Sequence, residues 1–130
     1  MRSIARTIHL IVACLFVAGL FVQVFLAGLG VFSSTSGFTT HVGVGYSLSL
    51  LPIILVVVGL LGGLGRRLAL LAVLEFALFI LQSVFVAMRT SAPAVAALHP
   101  VNGFLILLIA LLIVRESWAA RALEPASAGQ

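Results

Sequence analysis

Two histidines recur in this chain inside matched surroundings. Gln23 is followed 18 residues later by His41, and Gln82 is followed 17 residues later by His99. His41 leads into Gly45-Tyr46 and His99 into Gly103-Phe104, so both stretches read His-x-x-x-Gly-aromatic. Neutral imidazoles are metal ligands. A pair at equal depth in a helical bundle would hold one metal between them. Zinc needs further protein ligands, and no other His, Cys or Asp falls nearby; Glu75 lies roughly two turns below Gln82. A haem is satisfied by two axial ligands. Gly45 and Gly103 sit one turn below the histidines on the same face, where a side chain would collide with a flat macrocycle. Arg89 and the hydroxyls of Ser33, Ser34, Thr35, Thr39 and Thr40 fall where propionates would emerge. The expectation is one haem b with His41 and His99 as iron ligands. Gly45, Gly103, Arg89, Gln23, Gln82 and Asn102 are expected around it.

Each of these residues also has a structural reading. A histidine at a membrane interface is often an end residue, and glutamines in membrane helices serve as interhelical hydrogen-bond donors and acceptors. Glycines, here Gly59 and Gly63 above all, make close-packing notches. Glu75, Gln82 and Arg89 are spaced by seven and share one helix face. Glu75 is read as a proton carrier, as a partner of a neighbouring hydroxyl, or as neutral in place. His9 is expected at the inner surface. Pro100 biases His99 away from helical dihedrals, which predicts a cap position for His99 and unequal angles for the two rings.

The elements that must position these residues follow from composition. Of 130 residues, 63% are hydrophobic and 8% are charged. Soluble domains carry about 25% charged residues, so lipid must be the solvent. Four apolar runs, near 8–30, 43–62, 68–88 and 100–118, reach the roughly 20 residues that cross a bilayer. The expected architecture is all-α: an integral membrane four-helix up-down bundle over 1–118. It consists of two parallel-topology two-helix repeats related by an axis along the membrane normal. Residues 119–130 are expected to be a disordered cytoplasmic tail. Arg2, Arg6, Arg66, Arg67, Arg115 and Arg121 fall on one side of such a bundle and Arg89 alone on the other. The positive-inside bias places both termini in the cytoplasm of a multi-pass protein of the inner membrane. Trp118 then sits at an interfacial anchor position. The pI near 11.3 reflects these scattered arginines, and nucleic acid is not expected as a partner. Cys14 loosely fits a lipoprotein cleavage box, but the apolar segment before it is too short, and it reads as a small apolar residue within a span.

Three segments carry a resemblance: Val22-Gln23-Val24-Phe25-Leu26-Ala27-Gly28-Leu29-Gly30, then His41 with Gly45-Tyr46, then Leu98-His99-Pro100-Val101-Asn102-Gly103. Through them the chain resembles a family of small four-helix bacterial membrane proteins of actinobacterial type and unknown function. The resemblance extends to about Arg115. It implies the fold and supports the histidine positions, but implies no activity. More distantly, histidines at the starts of helices 2 and 4 are similar in pattern to the four-helix halves of haem A synthase and to other membrane b-type cytochromes. The eight-helix length and the carboxylate-bearing outer loop of that synthase are missing, so its reaction is not expected.

The leading functional expectation is a small b-type cytochrome that transfers electrons near the outer face. Its partners would be the lipid bilayer, a quinone or subunits of a respiratory complex, and a second copy in a homodimer. One rival is a cofactor-free accessory or assembly subunit. Another is a small proton-coupled transporter using Glu75. No nucleotide-binding loop or nucleophile–base constellation is present, and whether the chain is an enzyme is left open.

Overall fold

The fold comes from a computed structural model, which describes residues 1–122. Four helical spans are long and apolar enough to cross a membrane: Arg2–Phe32, Ser36–Gly62, Arg66–Ala87 and Pro93–Ala122. The first is a single helix, α1 (Arg2–Phe32). The second consists of α2 (Ser36–Leu48) and α3 (Leu50–Gly62). The third is α4 (Arg66–Ala87), and the fourth is a short α5 (Pro93–Ala96) followed by α6 (Leu98–Ala122). The chain is thus an all-α bundle of four spans and a multi-pass membrane protein.

The spans are longer than hydropathy alone suggests. The helix expected to end at residue 30 runs to Phe32, and its partner restarts at Ser36, so the Ser/Thr-rich outer link shrinks to three residues. Ser and Thr are poor helix interiors but good helix starts, and here they supply the first turn of α2. The last helix likewise runs through the beginning of the expected tail, to Ala122. The rest of that tail lies outside the described residues.

A break at Ser49 divides the second span, a feature not expected from the apolar run. Pro52 has no N–H to give the carbonyl of Leu48, and its ring crowds that turn. Ser49 compensates locally: its N–H bonds Gly45 O at 3.1 Å, and its hydroxyl donates to Tyr46 O at 2.7 Å. The inner turn between α3 and α4 depends on two left-handed glycines, Gly63 (φ +61°) and Gly65 (φ +87°). Gly63 ends α3, and the Leu64 N–H reaches back to Gly59 O at 3.0 Å. Gly63 thus serves the tight Gly62-Gly63-Leu64-Gly65 turn expected from the sequence and not the packing notch also expected of it; only a residue without Cβ adopts that φ freely.

Around the bundle, α1 packs on α3 and α6, and α4 packs on α3 and α6, so α1 and α4 stand on one diagonal. The core has two layers. The inner layer is Ala13, Leu55, Leu68, Ala72 and Ile113; the outer is Phe16, Leu20, Leu48, Ile106 and Ala110. Phe16 and Phe79 meet across the α1–α4 diagonal with ring centres 5.6 Å apart. Buried positions recur every three or four residues, the stripe a helix needs to face a core. Most other large apolar side chains point outward, as expected where lipid replaces water. Cys14 and Trp118 are among the outward-facing residues. At the outer end α1 and α2 cross closely: a Cβ on Gly37 would lie 2.4 Å from the backbone N of Gly30.

Candidate functional site

The two halves of the repeat meet at the end of the bundle that carries the 33–35 and 88–97 links. His41 enters from α2 and His99 from α6, along the diagonal opposite to α1 and α4. Their ring centres are 6.1 Å apart, with ring planes inclined by 60°. Each ring is anchored in the same way. His41 Nδ1 donates to the backbone carbonyl of Gln23 at 3.0 Å, and His99 Nδ1 donates to the carbonyl of Gln82 at 3.2 Å. A carbonyl only accepts, so both imidazoles carry their proton on Nδ1 and leave a lone pair on Nε2. The repeat therefore equates both the residues and their hydrogen bonds.

His99 is not at a cap, as Pro100 had suggested. It is the second residue of α6, with Pro100 still within the first turn, where its missing N–H costs nothing. His41 lies five residues beyond the start of α2. The two placements thus differ, and the ring planes are inclined to one another by 60°.

The glycines below the histidines receive the glutamine amides. A Cβ on Gly45 would come 3.4 Å from Gln23 Nε2, and one on Gly103 would come 3.5 Å from Gln82 Nε2. The halves differ in one residue. Asn102 donates to Leu78 O at 2.9 Å and to Gln82 Oε1 at 2.6 Å. That turns the Gln82 amide nitrogen toward His99 Nε2, 3.3 Å away. Under the offset that matches the histidines, Val44 occupies the place of Asn102. Gln23 accordingly has no such partner, and both polar atoms of its buried amide are unpaired. Arg89 lies on the outer rim, exposed, donating only to Val86 O at 3.5 Å.

Each ring keeps an Nε2 lone pair that a metal could take. A metal–imidazole bond is about 2 Å, so two opposed rings on one metal have centres about 6 Å apart. Ligating histidines usually give their other N–H to a carbonyl or carboxylate, which fixes the tautomer; both rings here do so. Among the described residues no group of three His, Cys, Asp or Glu side chains could hold a metal by itself. Loading His99 Nε2 requires the Gln82 amide to move aside.

A second polar site lies in the inner half and was missed. His9 is not an interface residue; it is completely buried between α3 and α6. Its Nδ1 donates to Ser117 Oγ at 2.9 Å, and the Ser117 hydroxyl in turn donates to Ile113 O at 2.5 Å. His9 Nε2 lies 3.3 Å from the Cβ position of Gly59 and makes no hydrogen bond of ordinary geometry among the described residues. His9, Phe16 and Gln23 are spaced by seven on α1, as Leu68, Glu75 and Gln82 are on α4. That heptad stripe was the signal that His9 faces inward. Glu75 is also completely buried, with both carboxyl oxygens unpaired.

The profile of DUF6220, a family of unknown function, matches residues 23–90. The match begins at Gln23 and extends just beyond Arg89, so it holds the first Gln–His–Gly set whole and reaches the second only at Gln82. No curated protein and no solved structure matches the chain.

Proposed function

This chain belongs to the DUF6220 family, and we propose that it is a small membrane cytochrome holding one haem b between His41 and His99. The observation that carries this reading is the paired anchoring of the two rings. Both Nδ1–H groups are given to backbone carbonyls, and the ring centres stand 6.1 Å apart. His41 and His99 would be the axial ligands, and the Gln23 and Gln82 carbonyls would hold their tautomer and raise their basicity. Asn102 would position the Gln82 amide. Gly45 and Gly103 add no side chain of their own beneath the rings, and the Gln23 and Gln82 amides that now pack there would have to turn aside for a macrocycle. Arg89 and the outer hydroxyls suit the propionates. A haem held by both histidines would supply a one-electron couple, chemistry that suits electron transfer.

The arginine bias supports cytoplasmic termini and, with them, a site near the outer face of the cytoplasmic membrane. Its redox partner would then be a membrane quinone or a subunit of a larger respiratory complex, and a homodimer would bring two such sites together. The likeness to haem A synthase and membrane b-type cytochromes is one of pattern and adds no reaction.

The test is the spectrum of the detergent-purified protein, oxidised and dithionite-reduced. Sharp low-spin bands on reduction support the reading. A protein that stays colourless after haem addition refutes it.

One observation favours a cofactor-free alternative. The Gln82 amide already occupies His99 Nε2, and both glycines accommodate glutamine amides. The outer cluster would then be interhelical hydrogen-bonding in an accessory subunit of a larger complex. The same spectrum separates the two readings.

A further inference from the structure

Glu75 has no role in the site described above, and no described residue hydrogen-bonds its carboxyl group. It is completely buried, and neither carboxyl oxygen has a hydrogen bond. It lies one heptad below Gln82, whose amide faces His99, so the axial separation is about 10.5 Å at 1.5 Å per residue. The repeat equates Glu75 with Phe16 on α1, so the position can be filled by an apolar residue without loss of the bundle's pattern.

No fixed charge faces Glu75 from the elements packed on α4. Neither α3 nor α5 contains an ionisable residue. On α6 the ionisable residues are His99 at the outer end and Arg115, Glu116 and Arg121 at the inner end; Ile106, Ala110 and Ile113 fill the buried positions between. Glu116 is paired with Arg67 of α4 at 3.2 Å. The other cations of α4 and its outer turn, Arg66 and Arg89, are exposed. Across the diagonal, α1 contributes His9 to the inner half of the core, below the level of Glu75.

We propose that Glu75 is the proton-binding site linked to reduction of a haem at His41 and His99. The inference rests on the haem reading above. An unpaired carboxylate is unfavourable in a hydrocarbon core, so without cofactor Glu75 is a neutral acid. A ferric haem brings one net positive charge to its iron–porphyrin core, and the ferrous form brings none. At this separation in a poorly polarisable medium the charges are felt strongly. The oxidised state favours the Glu75 carboxylate, and the reduced state favours the acid. One electron from a one-electron reductant at the outer face converts iron(III) to iron(II). One proton from the cytoplasmic side forms the O–H bond on Glu75, and reoxidation reverses both. His9 is the other buried titratable side chain in that half of the core.

The test is reduced-minus-oxidised infrared spectroscopy of the haem-loaded protein, beside potentiometry at several pH values. In the wild type a protonated-carboxyl band appears on reduction, and the midpoint potential falls by up to about 59 mV per tenfold drop in proton concentration. In Glu75→Gln the band is lost and the potential is flat with pH. The cofactor-free wild type shows the carboxyl band constantly. If Glu75→Gln fails to fold, carbon-13 labelling of glutamate in the wild type must shift the band, which must persist in Glu116→Gln and Glu124→Gln. A coloured protein with a pH-independent potential and no carboxyl change overturns this inference and leaves the haem reading intact. A protein that never takes up haem overturns both.

Discussion

His41 and His99 face one another at 6.1 Å between ring centres, each anchored by the backbone carbonyl of a glutamine on a different helix. The two anchors are equivalent, but their glutamines are not: Gln82 is held by Asn102, whereas the Gln23 amide is unpaired. Asn102→Ala leaves the Gln82 side-chain oxygen without its donor. The expected cost is about 1–2 kcal/mol, read as a lower unfolding temperature in detergent. Gln23→Leu removes an amide that already lacks partners and should be neutral or stabilising. Equal losses in the two variants would contradict the asymmetry.

The glycines below the histidines separate packing from cofactor binding. A Cβ at Gly45 or Gly103 meets its glutamine at ordinary contact distance. Gly45→Ala and Gly103→Ala should therefore leave the apoprotein as stable as before, or gain up to about 1 kcal/mol from helix propensity. Both should nevertheless weaken haem retention, measured by dilution of the loaded protein. Gly37→Ala is expected to behave oppositely. It drives a methyl into the backbone of α1, at a cost of about 1–3 kcal/mol or more, and opens the outer end of the α1–α2 pair.

His9 and Ser117 should respond unequally to truncation. Ser117→Ala leaves a buried His9 N–H without an acceptor, costing about 1–3 kcal/mol. His9→Leu leaves the Ser117 hydroxyl still bonded to Ile113 O and removes an orphaned nitrogen, so it should cost less. Thermal unfolding of the two variants checks the order, and the reverse order would remove His9 from the core position described.

Topology is tested by labelling single cysteines in a Cys14→Ser background. Ser34→Cys lies in the outer link, and Gly65→Cys would confuse the result by straining a left-handed turn, so Ala120→Cys represents the inner side. A membrane-impermeant maleimide applied to intact cells should label the first and spare the second. The opposite pattern would invert the bundle.

The four spans and the outer pairing of His41 with His99 were legible because both depend on period and register. Apolar runs of membrane length, and a repeat matched at Gln, His and Gly, survive without knowledge of contacts. The placement of His9 was harder. Its short distance from the chain start suggested an interface, but α1 begins at Arg2, and the seven-residue stripe carries His9 inward. The break at Ser49 was hidden inside a uniformly apolar run, although Pro52 alone accounts for it. The amide-to-glycine contacts depend on which way the Gln82 and Gln23 side chains turn, and Asn102 decides that for only one of them.

The most direct test of the central claim is titration of haem into the purified protein, followed in the Soret band and by electron paramagnetic resonance of the ferric form. Binding should saturate at one haem per chain with a low-spin bis-imidazole signal, lost in both His41→Ala and His99→Ala. Non-saturable uptake, or a low-spin signal that survives either substitution, would contradict a haem held between these two histidines.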